Sequence, residues 1–155
     1  SGNLATTTRR LGREDETLDI YNARVEAAAE TWPDGHWRRA EVLFQLGAEL
    51  TVLARYEEAI PVLSEALDMG MAELGATHSW NAIYRGWLAL AAMKTDRAEP
   101  AHQLFGWSWE GLAAYQALAD DRDMVGRVSD LAEALEGKAL PEEAARYRSY
   151  LEPAG

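Results

Sequence analysis

The stretch "RYEEAIPVLSEAL", Arg55 to Leu67, decides how this sequence is read. Its apolar residues recur at three- and four-residue steps, the signature of a helix with one buried face. Yet Pro61 stands inside it. A proline has no N–H to donate, so it is tolerated near a helix start, where few amides have a partner to lose. Pro100 and Pro141 stand near the start of two later helical stretches. Three helices opening with proline form a pattern, whereas three kinked longer helices would need three unrelated causes.

Working outward, similar apolar faces run through 17–32, 42–53, 56–74, 82–93, 101–118, 125–135 and 144–151. Strictly alternating runs are missing, so the expectation is seven or eight helices and no sheet. His36 in "WPDGHW" and His78 in "LGATHSW" are 42 positions apart. The same interval relates Gly47 to Ala5 and Ala89, and Ala59 to Thr17 and Ala101; one extra residue brings in Ala132 and Ala144. Each unit therefore carries two small residues twelve apart, with a turn between them near Gly12, Ala54, Asp96 and Gly137-Lys138. Small residues facing each other across a helix pair let the backbones approach closely. The unit is a helical hairpin, repeated.

Leu-Gly followed by Ala-x-x-x-(Leu/Phe) resembles the tetratricopeptide repeat (TPR), and the period near 42 resembles its long variety in kinesin light chains and bacterial regulators. Tyr56-Glu57-Glu58-Ala59-Ile60-Pro61 and Leu74-Gly75-Ala76-Thr77-His78 are similar to the opening and close of that variety's second helix; "EGKALPEEAARY" (136–147) is a looser copy. The resemblance implies an all-α fold. Antiparallel hairpins stack as a right-handed α-solenoid of about three and a half repeats, with units near 1–36, 37–78, 79–121 and 122–155. The first unit is expected to be cut short, and the chain to be either a C-terminal piece of a longer protein or a domain whose missing half-helix comes from elsewhere.

The same resemblance implies that first helices line a concave groove. By register it is lined by Glu41, Phe44, Ala48 and Thr51, then Ile83, Gly86, Leu90 and Met93, then Ser129, Glu133 and Glu136, with Thr6, Arg9 and Arg10 before them. Arg85 takes the slot that Leu43 and Val128 fill in neighbouring units and is expected to reach the groove or pair internally. Arg148 stands where Leu63 and Phe105 stand, as in a capping helix with an exposed outer face. TPR modules that grip a C-terminal carboxylate use lysines and asparagines on these inner faces. Phe44, Gly86 and acidic residues here argue against that ligand.

Composition narrows the function. The net charge is −11, with tight basic clusters only at Arg9-Arg10 and Arg38-Arg39, which argues against a nucleic-acid partner. No apolar run approaches the ~20 residues of a membrane span, so no membrane partner is expected. There is no cysteine, which removes disulfides, thiolate metal sites and cysteine nucleophiles and fits a cytoplasmic setting. Lysine is nearly replaced by arginine, which suggests a GC-rich bacterial genome. His36 and His78, being related by the repeat, read as structural loop residues. "DDRD" (120–123) lacks the glycine and distant glutamate of an EF-hand and reads as a helix start. Trp32, Trp37 and Trp80 read as joints between units. No phosphate loop, nucleophile elbow or dinucleotide pattern occurs. The expectation is a protein without catalytic residues, metal or cofactor: a scaffold for a protein or peptide partner, able to self-associate through its repeat ends. The alternative is the ligand- or peptide-sensing module of a bacterial regulator.

Overall fold

A computed structural model describes residues 2–152, with side chains described from residue 11 onward. Ala5, Thr6, Arg9 and Arg10, named above, therefore lie outside the described side chains. Among the described residues there are seven α-helices: α1 (Gly2–Thr31), α2 (Trp37–Val52), α3 (Tyr56–Leu74), α4 (Ser79–Met93), α5 (Ala98–Ala114), α6 (Arg122–Gly137) and α7 (Pro141–Ser149). A 3-10 turn (Leu118–Asp120) precedes α6, and no strand occurs among these residues. The chain is all-α, and none of the helices is long and apolar enough to cross a membrane.

The helices pair as hairpins, α2 with α3, α4 with α5 and α6 with α7, and α1 packs on α2. The small positions found by periodicity lie at the contacts. Ala59, Ala89, Ala101 and Ala132 are completely buried, and Ala144 nearly so. A Cβ added to Gly47 would sit 2.6 Å from Leu63 Cδ2, so α2 and α3 approach more closely than any larger residue allows.

Each hairpin turns through one left-handed residue, Ala54 (φ 61°), Asp96 (φ 58°) or Ala139 (φ 62°), at the repeat interval. The next amide reaches back five residues: Arg55 N to Leu50 O (2.8 Å), Arg97 N to Ala92 O (3.0 Å), Leu140 N to Leu135 O (2.9 Å). This is the Schellman closure, which usually employs glycine. In the third turn the left-handed residue is Ala139, and Gly137 is still helical. Ala139→Gly is therefore expected to raise the unfolding free energy by about 0.5–1 kcal/mol, read from urea melts, because the left-handed conformation costs an L-residue roughly that much.

Helix starts are built from polar caps. His36 and His78 accept a hydrogen bond on Nδ1 from the amides of Arg38 and Trp80, both at 3.1 Å, and so cap α2 and α4. Asp121 caps α6 through the Met124 amide (3.1 Å). It also accepts from the Tyr115 hydroxyl (2.7 Å); that bond first, and the Met124 amide second, hold its carboxyl below the usual range. The three prolines differ in depth. Pro141 opens α7 and Pro100 is the third residue of α5, but Pro61 lies one turn inside α3, past the free amides of the first turn. The carbonyl it leaves without a helical partner, that of Glu57, belongs to an exposed residue, where the cost of a missing bond is smallest.

Two expectations are corrected. The turn near Gly12 is absent, because α1 runs unbroken from Gly2 to Thr31. A turn is stabilised only when both arms pack, and here Leu11 is 51% exposed and a Cβ at Gly12 would meet nothing within 4 Å. At the other end, the core position on α7 is filled by Tyr147, which is fully buried, while Arg148 is exposed and donates to Glu136 (2.6 Å). Positions three and four residues on share one face of a helix, so the register slips by one without cost to the pattern.

Candidate functional site

The first helices of the three hairpins, α2, α4 and α6, lie side by side. Across the middle one, side chains of α2 and α6 meet at both ends. At one end Arg127 Nη2 and Nη1 donate to Glu41 Oε1 (2.7 Å) and Oε2 (3.2 Å). Glu41 Oε2 also accepts from the Tyr84 hydroxyl (2.7 Å) on α4. Burial first, then the charge of Glu41, pushes that hydroxyl far above the usual phenol range. The Glu41 and Arg127 side chains are only 16% and 14% exposed. At the other end Lys138 Nζ donates to the Val52 carbonyl (2.9 Å) and stands over the Tyr56 ring. Both links join residues 86 apart, one more than two repeat intervals.

Between these two clasps is a cleft of about 560 Å³. Its floor is Trp87 of α4, with Phe44, Ala48 and Val52 of α2, Ala134 of α6 and Tyr21 of α1 around it. Gln45, Glu49, Asp130 and Glu133 bring polar groups to it. The Phe44 ring stacks on Tyr84 (centroids 4.5 Å apart) and meets Trp87 edge-on (6.3 Å), so the floor is rigid. Arg127 is locked in turn: Nε donates to Asp123 (2.8 Å), and its guanidinium lies 4.2 Å from the Trp80 ring centroid. Trp80 Nε1 donates to the same carboxylate (3.2 Å). An aromatic chain, Trp32, His36, Trp37 and Trp80, continues this edge along the joints between units.

Phe44 and Ala48 line the cleft as the register implied, as does Glu133, and Glu41 stands at its edge in a clasp. The others are corrected. Ile83, Leu90 and Thr51 have no exposed surface at all, and the Thr51 hydroxyl is spent on the Gly47 carbonyl (2.8 Å). Gly86 faces the next hairpin: a Cβ there would stand 2.5 Å from Leu131 and 2.6 Å from the Tyr147 hydroxyl. Arg85 is half-buried and takes the internal one of its two expected places, reaching Met71 Sδ (3.6 Å) on α3 and not the cleft. Met93 packs against the core, Ser129 is half-buried outside the cleft, and Glu136 pairs with Arg148. One cause covers α4. It is flanked by α2, α3, α5 and α6, so its inner face is mostly core, and only Trp87 reaches the cleft.

The residues missed from sequence are Tyr21, Gln45, Glu49, Val52 and Trp87, and on the far side Arg127, Asp130, Ala134, Gly137 and Lys138. For Arg127 and Lys138 a signal existed, since each lies 86 residues, close to two repeat intervals, from its partner on α2. Among the described residues no group of three His, Asp or Glu side chains stands close enough to hold a metal ion.

No protein-family model matches the chain, and no curated protein matches it. Solved structures do. A crystal structure from Podospora anserina, described as kinesin light chain nearly identical TPR-like repeats, aligns with a TM-score of 0.62 at 17% identity, covering 96% of this chain and 70% of that one. A Gln-to-Met variant of the same protein aligns equally well, at 18% identity over the same shares. At such identity the likeness establishes architecture alone: the chain is an all-helical solenoid of TPR-like hairpin repeats.

Proposed function

We propose that this chain is a non-enzymatic protein-interaction scaffold whose concave cleft holds a short peptide segment of a partner. The observation that carries the reading is the cleft itself. It has a preformed apolar floor of Phe44, Val52 and Trp87, rimmed by polar groups and held in shape by two clasps. Such a surface binds without first paying to order itself, and its energy comes from one or two buried anchors. TPR-like folds in general serve as scaffolds, which agrees with this. A cytoplasmic, bacterial setting, expected from composition, belongs to the same proposal.

A second reading, a sensing module of a regulator, is favoured by one feature. The clasps tie the first hairpin directly to the third, so an occupant seated between α2 and α6 bears on the curvature of the array. The cleft volume also falls in the range of small-molecule sites, about 300–1,000 Å³.

The test is Ala48→Trp, which fills the cleft from a half-buried position on α2 without touching either clasp. An immobilised library of pentapeptides is probed with both proteins. The native chain is expected to retain a defined subset and the variant to lose at least tenfold in affinity for it, about 1.4 kcal/mol, with unchanged helical circular dichroism. Equal retention by both proteins, or none by the native chain, rejects the cleft as a peptide site.

A further inference from the structure

We infer that the partner segment is basic: a stretch of about five extended residues with one bulky apolar side chain flanked by lysine or arginine. This rests on the cleft being a peptide site, as proposed above, and adds the charge and length of its occupant.

The charge follows from which groups at the cleft are already satisfied. Its two cations are both engaged. Arg127 is held by Glu41 and Asp123, and Lys138 by the Val52 carbonyl and the Tyr56 ring. The rim carboxylates are not balanced in the same way. Among the described residues none of Glu49, Asp130 and Glu133 makes an ion pair or side-chain hydrogen bond, and Arg148, the cation near Glu133, is already paired with Glu136. The cleft therefore presents net negative charge around an apolar floor: Glu49, Asp130 and Glu133 stand against the single cation without a carboxylate partner, Lys138. The chain as a whole carries −11, which reinforces the field. An acidic or neutral segment would leave these carboxylates facing like charge or apolar surface. A segment with cations beside its anchor would pair them at the rim while the anchor covers Trp87.

The length follows from the clasps. Glu41 and Val52 are eleven residues apart on α2, so the window between the clasps spans roughly 16 Å at ~1.5 Å per helical residue. At about 3.3 Å per extended residue that admits some five residues. A longer segment enters and leaves across the rim.

Three blocked pentapeptides, KKLKK, QQLQQ and EELEE, are titrated into the full chain by calorimetry at low and high salt, with hexylamine as a fourth probe. KKLKK is expected to bind about tenfold more tightly than QQLQQ, the yield of two or three rim-exposed pairings. EELEE should be weakest. The advantage should shrink at 1 M salt, where the screening length falls to about 3 Å. In the Glu49→Gln/Asp130→Asn/Glu133→Gln variant, all three changes on accessible surface, the ratio of KKLKK to QQLQQ affinity is expected to fall toward one.

If QQLQQ or EELEE equals KKLKK, the basic partner is rejected and the peptide reading survives. The same holds if KKLKK keeps its full advantage in the triple variant, because the attraction is then the chain's overall charge. If hexylamine binds as tightly as KKLKK, the occupant is a small amine and the peptide class is wrong. If none of the four binds, both readings fall.

Discussion

Replacing Tyr147 by alanine is expected to lower the unfolding free energy by about 3–5 kcal/mol, the range for deleting a fully buried aromatic side chain. Tyr147 has no exposed surface. Its ring lies against Phe105 (6.3 Å between centroids) and Trp109 (6.1 Å), tying α7 to α5. Its hydroxyl donates to Ser108 Oγ (2.7 Å), and Ser108 donates to the Ala82 carbonyl, so three helices meet at one polar chain. Burial pushes the hydroxyl well above the usual phenol range, as expected for a group that stays neutral and donating. Tyr147→Phe keeps the ring and leaves the Ser108 donation to Ala82 intact, so its cost is expected to be about 1 kcal/mol. Arg148→Ala, one residue on, should leave the denaturation midpoint unchanged. Urea melts of the three variants decide the register of α7. A large loss at Arg148 with little at Tyr147 would place the core face one residue later.

The second large effect belongs to the clasp at Glu41 and Arg127. Arg127→Ala is expected to cost about 2–3 kcal/mol, because it leaves the Glu41 carboxylate mostly out of water with only the Tyr84 hydroxyl to hold it. The change also removes a cation from the Trp80 face. Glu41→Ala should cost less, because Asp123 and the Trp80 face still hold the guanidinium. The double variant should cost less than the two singles together, by about 1–2 kcal/mol, since neither partner is then left unpaired. The exposed pair Arg39–Asp34, whose carboxylate lies in open solvent, provides the reference, and Arg39→Ala should change stability by less than about 1 kcal/mol. If Arg127→Ala behaves like Arg39→Ala, the clasp does not hold the first and third hairpins together. Because it frames the cleft, its loss should also weaken whatever the cleft binds, even though Ala48, Val52 and Trp87 remain.

The prolines, the left-handed turn residues and the histidine caps show how much is legible locally. His36 and His78 sit 42 positions apart and do the same work, each offering Nδ1 to an amide two residues on. Ala54 and Asp96 repeat the same turn without glycine, so no residue-type signal marks them; the interval does. Gly12 is the converse case. It has the residue type of a turn and the right interval, yet α1 passes straight through it, because nothing packs beside it to stabilise a bend. Glycine permits a turn, whereas packing between the arms makes one favourable.

The candidate site was legible only in part. Phe44 and Ala48 line the cleft because α2 has a free side toward it. Ile83, Leu90 and Thr51 follow the same register but lie inside the core. Their apolar or small character suits either fate equally well, and the amino-acid pattern of one helix does not say how many neighbours surround it. Glu49 and Asp130 look like any solvated carboxylates in a chain carrying −11.

By itself, then, the order of amino acids determined the helices, their pairing into hairpins and the interval at which they recur. Those features depend on contacts three, four and about forty residues apart, which periodic small and apolar residues encode directly. Tertiary structure alone decided that α2 and α6 meet across α4, which buries most of the inner face of the middle repeat and leaves a short clasped cleft in place of a continuous groove. That outcome depends on the small rotation between successive hairpins, accumulated over two repeat intervals. The rotation is set by the sum of many side-chain contacts between units, not by any one residue.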